Sequence, residues 1–394
     1  MKPSHHYLNA MGLINALGCT HQEVSTALFS ADTSGMRLAH DLLNGHAVRV
    51  GRVHSPLPVV PKELEGLGSR TCQLLLAAMS DMQPAIEAAL RKYGRARVAV
   101  IIGTSNSGVE EATQAITQAG VGHRLDASYH YQQQELGTPA LFVARHLGVT
   151  GPVYAISTAC TSSAKVFAAG ARLLNAGLCD AVILGGSDAL ARLTLSGFTA
   201  LESTDTALTN PMSRNRQGIN IGEGAALFLL SRDESDIALL GTGESCDAHH
   251  ISAPHPEGLG AELAMQAALS CAALSAHEVD YLNLHGTATP KNDAMEAWAV
   301  SRVFSNGVPC SSTKPLTGHL LGAAGASEVA LCWLALKAGR LPPHVWDAEP
   351  DVGLPQLPLV GMGQKFSRAR QRVCMSNSFA FGGNNASVLI GDAR

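Results

Sequence analysis

Ser157–Gly177 reads STACTSSAKVFAAGARLLNAG. An apolar run of strand length, Val153–Ser157, leads into it. A second, Ala181–Gly185, follows it. Between them, small polar residues give way to an Ala/Leu-rich segment that predicts a helix over Ser162–Ala176. The same rhythm runs along the chain. Further candidate strands are Val98–Gly103, Ala225–Leu230, Ala238–Gly241, Tyr281–His285, Val373–Ser376 and Ala386–Ile390. Further candidate helices are Thr71–Tyr93, Pro139–Leu147, Gly260–Ala273, Asp293–Phe304 and Ser327–Ala338. Such alternation argues for an α/β protein whose parallel or mixed sheet is covered by helices.

Composition agrees. Of 394 residues, 46% are hydrophobic and 15% charged, so a large core is easily supplied. Thirty-nine glycines and few aromatics suit backbones that approach closely. A length near 400 predicts two domains or two similar halves. GEGAALFLL (Gly222–Leu230) and GGNNASVLI (Gly382–Ile390) each read as a glycine turn feeding an apolar strand, a hint of internal duplication. The polar stretch Ser231–Asp236 is the natural boundary, dividing the chain into 1–233 and 234–394. The net charge of −4 leaves no broad basic face for nucleic acid or anionic membrane. The polar opening Met1–His6 reads as no signal peptide, and apolar runs break before membrane-spanning length. Nine cysteines without a CxxC pair predict free thiols in a reducing compartment, hence a cytoplasmic protein.

Four segments carry chemistry. In the opening stretch, Cys160 lies where a strand gives way to a helix. Free N–H groups and the dipole there favour thiolate over thiol. In NLHGTATPKNDAMEA (Asn283–Ala297), His285 ends a strand, where ligands meet the sheets of α/β proteins. Thr287 and Thr289 read either as turn formers or as hydrogen-bond partners of an extended ligand. In SSTKPLTGHLLGAAGASE (Ser311–Glu328), Lys314 and His319 precede a helix of small residues. Burial there would demand a partner for the lysine, and Glu296 is the expected one. In SNSFAFGGNNAS (Ser376–Ser387), glycines after Phe381 allow backbone N–H groups to face a ligand oxygen. His249, His250 and His255 have no carboxylate at ligand spacing, so no metal site is expected. GTGESC at Gly241 lacks the Gly-Lys-Ser/Thr of a phosphate loop.

Taken in order, TACTSS, HGTATPKND, STKPLTGHLLGAAGASE and NSFAFGGNNAS make the chain resemble the β-ketoacyl-[acyl-carrier-protein] synthases of the thiolase superfamily, from Tyr7 to about Ile390. The resemblance implies a thiolase-like five-layered αβαβα fold of two similar halves, usually dimeric. It implies decarboxylative Claisen condensation. Cys160 would take an acyl group from an acyl carrier protein. His285 and His319 would donate Nε2–H bonds to the malonyl thioester oxygen. Lys314 would give electrostatic support beside His319 and Glu296. The Cys160 and Phe381 N–H groups would form an oxyanion hole, with Phe381 also the gate. Thr287 and Thr289 would bind the phosphopantetheine arm, which arrives on the carrier, so no resident cofactor is expected. Arg124 and Arg70 fall where the family tends to dock the acidic carrier.

Departures from the family pattern are the opening YLNAMGLINALG, Ser213 where aspartate is common, and three glutamines in Tyr129–Gly137. The last reads either as a polar acyl pocket or as interface hydrogen bonding. Together these features are similar to synthases of aryl-polyene-type pathways. A homodimer and a heterodimer with a chain-length-factor-like subunit both stand open. The alternatives are a non-catalytic chain-length-factor-like subunit, which the nucleophile argues against, and a thiolase, which would need a late Cys-Gly motif where this chain has Phe-Gly-Gly.

Overall fold

The structure is a computed structural model that describes residues 6–43, 45–120, 124–126 and 129–393. The polar opening Met1–His6 therefore lies, apart from His6, outside the described residues.

Two runs of elements share one plan. The first comprises β1 (His6–Ile14), α1 (Arg70–Ser80), β2 (Val98–Gly103), α2 (Thr138–Leu147), β3 (Val153–Ile156), α3 (Ser162–Asn175), β4 (Ala181–Asp188) and β5 (Gly224–Ser231). The second comprises β6 (Ile237–Cys246), α4 (Leu259–Ala272), β7 (Tyr281–Asn283), α5 (Pro290–Val303), β8 (Cys310–Ser311), α6 (Ala324–Ala338), β9 (Val373–Phe379) and β10 (Asn384–Asp392). The first half orders its strands β3-β2-β4-β5-β1, and the second β8-β7-β9-β10-β6. In each, three parallel strands are followed by two antiparallel ones. The segments GEGAALFLL and GGNNASVLI run into β5 and β10, which hold the same place in the two halves. The halves join where β1 pairs with β6, His6 opposite Leu239 and Tyr7 opposite Ala238.

The alternation of side chains along each strand builds the layers. In β2, Val98, Val100 and Ile102 pack with Leu74 and Leu75 of α1 and Phe142 and Val143 of α2. Ala99 and Ile101 point the other way, into a core with Phe167 of α3 and Val329 and Leu331 of α6. The second half repeats this: Met375 and Leu389 meet Met265 of α4 and Val300 of α5, while Cys374, Val388 and Ile390 face the central helices. The result is the five-layered αβαβα, thiolase-like arrangement, with α3 and α6 in the middle layer. A helix covered on both sides has no polar face, and α6 is buried almost throughout. By length and composition Leu321–Ala338 could cross a membrane, but 83% of it is buried inside the fold, which makes it a core helix.

Two expectations change. The helix expected over Thr71–Tyr93 is two, Arg70–Ser80 and Gln83–Tyr93, because Pro84 suits only a first turn. Strand β1 was not expected: Asn9 and Gly12 dilute its apolar pattern. Gly12 is needed because a Cβ there would meet the Ala78 carbonyl oxygen of α1 at 1.9 Å.

Candidate active site

The connections at the carboxyl ends of the parallel strands converge on one pocket. Between β3 and α3 the chain turns sharply, with Ala159 at φ 52°. The turn is closed by Thr161 Oγ1 donating to the Thr158 carbonyl (2.7 Å) and the Thr158 N–H donating to Ser162 Oγ (2.9 Å). It leaves Cys160 buried just ahead of α3. Gly103 at the end of β2 lets α3 start this close, since a Cβ there would meet the Ser163 nitrogen at 2.4 Å.

His319 comes from the matching connection of the second half, between β8 and α6. Its own backbone is pinned by its N–H donating to Asn220 O (2.7 Å) and its carbonyl accepting from Gly222 (2.9 Å). Its Nε2 lies 3.0 Å from Cys160 Sγ. The Leu321 N–H donates to Nδ1 at 3.3 Å. With Nδ1 accepting, the ring proton belongs on Nε2, which donates to the sulfur. His285 follows β7, its ring centre 5.3 Å from that of His319 at 85°. Lys314 Nζ approaches His285 Nδ1 at 3.5 Å and donates to the His285 carbonyl. This again directs the ring proton to Nε2. Burial, and then the charge of Lys314, hold both histidines well below their ordinary value, so both are neutral at pH 7.

The sulfur and one nitrogen from each ring lie within 4.8 Å of one another, the reach a metal ion would need. Protons on both Nε2 atoms and the nearby Lys314 charge arrange the trio to donate rather than to ligate.

The expected thiolate is not the resting state. Burial pushes the Cys160 thiol up to about 12, more than Lys314 pulls it down. The strand-to-helix position is as expected, but the desolvation it brings outweighs the helix end.

The partner of Lys314 is also different. Glu328 of α6, not Glu296, takes its Nζ, at 2.5 Å, with both side chains buried. Burial holds Glu328 up to about 6 despite the lysine. Glu296 of α5 instead accepts the backbone N–H groups of His285 (2.8 Å) and Gly286 (2.7 Å), and burial lifts it to about 7. It braces the loop that carries His285. Lys314 is bonded to His285, not to His319. A single acid in the small-residue run GAAGASE was the signal for Glu328.

The pocket is a cavity of about 320 Å³ reaching Cys160, His285, His319, Thr287, Thr289 and Phe381. The two threonine hydroxyls hydrogen-bond each other at 2.9 Å on its wall. Phe381 is 37% exposed at its mouth, with its ring centre 5.5 Å from that of Phe198. Phe198 had no signal in the sequence.

Arg70 is part-exposed rather than free. It forms an ion pair with the fully buried Glu223 at 2.6 Å and serves the fold. Arg124 is exposed. Gln133 and Gln134 do not offer their amides to an acyl chain: one donates to the Gly68 carbonyl (2.9 Å), the other to Tyr129 (2.8 Å). Both bonds are within the chain, and the third glutamine, Gln132, is exposed. His250 Nδ1 accepts the N–H groups of Ser252 and Ala253, holding the loop at the pocket mouth.

Fold and pocket together define a thiolase-like protein with a buried cysteine and two neutral histidines at one cavity. The N-terminal domain of β-ketoacyl synthases matches residues 61–236 and the C-terminal domain residues 237–346. The chain belongs to the β-ketoacyl synthase family. It is 32% identical to 3-oxoacyl-[acyl-carrier-protein] synthase 2 of Vibrio cholerae, over 75% of this chain and 76% of that one. It is 31% identical to the chloroplastic 3-oxoacyl-[acyl-carrier-protein] synthase II of Arabidopsis thaliana over 76% of this chain, but spans only 58% of that relative. Among solved structures, the ketosynthase of Xenorhabdus doucetiae in complex with its chain length factor is 44% identical, with a TM-score of 0.94 and full coverage of both chains.

Proposed function

We propose that this chain performs decarboxylative Claisen condensation between an acyl group held on Cys160 and malonyl-acyl carrier protein, giving 3-oxoacyl-acyl carrier protein and carbon dioxide. The observation that carries the reading is Cys160 Sγ 3.0 Å from a neutral, Nε2-protonated His319, with a second such imidazole beside it.

In the first half-reaction, the sulfur attacks the carrier-bound thioester carbonyl. The backbone N–H groups of Cys160 and Phe381 receive the oxyanion, and the carrier thiolate leaves with the proton the thiol loses. In the second, malonyl-carrier protein binds along Thr287 and Thr289. Carbon dioxide departs and leaves an enolate oxygen between the Nε2–H groups of His285 and His319. The enolate carbon attacks the acyl carbonyl, the C–S bond breaks, and the departing thiolate takes a proton from solvent, the one proton the condensation consumes. Neutral histidines suit this role, because donors fixed in place need no proton transfer as charge builds. Lys314 adds positive charge behind His285. No resident cofactor enters, since the phosphopantetheine arm comes with the carrier. Arg124, exposed and cationic, is the candidate contact for that acidic partner.

The finer reading is an aryl-polyene-type or related chain-elongating synthase of the cytoplasm, working beside a chain-length-factor-like subunit. The likeness to the Xenorhabdus ketosynthase supports such a partner, and nine free cysteines suit a reducing compartment.

Intact-mass analysis after incubation with a panel of acyl-carrier proteins, with and without such a subunit, tests the reading. Wild-type protein gains one acyl group, and Cys160→Ala gains none. Acyl-enzyme persisting in the alanine variant would overturn it.

A further inference from the structure

Three hydrogen bonds tie the glycine turn that carries Phe381 to the rest of the pocket, beside a longer one from Cys246 Sγ to the Gly382 carbonyl (3.9 Å) and one from the Asn385 amide to the Gly383 carbonyl (3.2 Å). Of the three, two lead to the loop after β6. The Gly382 N–H donates to the Ile251 carbonyl (2.7 Å), and the Asp247 N–H to the Gly383 carbonyl (2.8 Å). The third leads to the nucleophile's own helix. Lys165 Nζ, near the start of α3, donates to Asn384 Oδ1 at 2.7 Å.

A lysine near the start of a helix faces the positive end of the dipole, so its position there costs rather than contributes helix stability. Its stem is half-buried, and its head crosses from the first half of the chain to the second. It meets the residue that ends the turn, immediately after Gly382 (φ 79°) and Gly383 (φ 74°). Two bonds close the turn from within, the Ala380 N–H donating to the Asn384 carbonyl (2.8 Å) and the Gly383 N–H to the Ala380 carbonyl (3.2 Å), so it moves as a unit on its two left-handed glycines. Its geometry relative to Cys160 must come from outside, and Lys165 reaches it from five residues beyond that cysteine.

We propose that Lys165 is a positioning residue: through Asn384 it sets the Phe381 N–H at the distance from the Cys160 N–H that an oxyanion requires. This rests on the reading of that turn as an oxyanion donor in acyl transfer. A donor displaced by a fraction of an ångström still permits binding but no longer stabilises the transition state. Loss of the tie therefore lowers kcat and leaves KM.

The experiment follows loading of octanoyl-acyl carrier protein onto the full-length protein by intact mass, beside alkylation of Cys160 by iodoacetamide, which makes no oxyanion. Lys165→Met and Asn384→Ala each slow loading about tenfold at an unchanged KM, and the double variant is no slower than either, as one shared interaction demands. Lys165→Arg retains loading within about threefold of wild type. Alkylation rates and melting temperatures match wild type throughout. Loading by Lys165→Met within about twofold of wild type, or losses that multiply in the double variant, would overturn the proposal. So would equal slowing of loading and alkylation, which marks a disturbed Cys160. Wild-type protein that alkylates but loads no acyl group from the whole carrier panel, with or without a chain-length-factor-like subunit, overturns the condensation reading and this inference with it.

Discussion

At the scale of single residues, burial outweighs local dipoles. Cys160 stands where a helix end would favour thiolate, yet desolvation holds it up to about 12. In the proposed condensation, a thiol of this kind loses its proton only as the carbonyl arrives, when negative charge passes to the substrate oxygen. The free enzyme should show it. Iodoacetamide inactivation should climb steadily with pH and give no plateau below about pH 9, because reactivity tracks the thiolate fraction. A plateau near neutrality would mean that His319 and the helix end win after all. The same arithmetic explains Lys314. Two buried charges need each other, and removing either leaves the other without compensation. Glu328 answers that need from α6, while Glu296 answers a different one, the free N–H groups of the turn after β7.

At the scale of elements, the site depends on how closely two helices of the middle layer approach. Small residues line that contact. Gly325 of α6 faces Ala164 of α3, and a Cβ there would meet the Ala164 backbone nitrogen at 2.8 Å and Ser378 Oγ at 3.0 Å. Neither helix can yield without moving one side of the pocket, since Cys160 precedes one and His319 the other. Gly325→Val should destabilise the fold by about 1–3 kcal/mol, the usual cost of overpacking, and should slow condensation beyond what the lost folded fraction explains. Denaturant melts with parallel rate measurements check both. The Ser157–Gly177 unit was legible because helix period and strand period alternate clearly there. The contact between α3 and α6 was not, because glycine and alanine runs state that something is close without stating what.

At the scale of the whole molecule, the layers bury ionisable groups, and stability acquires a pH signature. The Glu296 carboxyl sits at about 7 in the fold, against 4.5 for an ordinary glutamate. Across that interval the folded state binds more protons than the unfolded one. Stability is therefore full on the acid side and falls as pH rises through 7. The buried histidines act oppositely. His344 lies near 4, and His285 and His319 are also lowered. The unfolded chain takes up their protons below 6.5, so stability falls as pH drops. Thermal melting should thus be highest near neutrality on its acid side. Glu296→Gln should remove the loss of stability that accrues between about pH 4.5 and pH 7.5. An unchanged slope in that variant would assign the decline to other groups.

The amino-acid sequence by itself determined the class of fold, and it singled out Cys160, both histidines, the lysine and the glycine turn, which the structure gathers around one pocket. Strand and helix periods are local, and these side chains sit in short segments whose composition announces them. The tertiary structure alone decided the partners and the protonation. Cys160 and His319 are 159 residues apart, Lys165 and Asn384 are 219 apart, and Arg70 meets Glu223 across 153. No local pattern carries such pairings. The proton affinity of Cys160 follows from how much water five layers exclude, which exists only once both halves have closed over it.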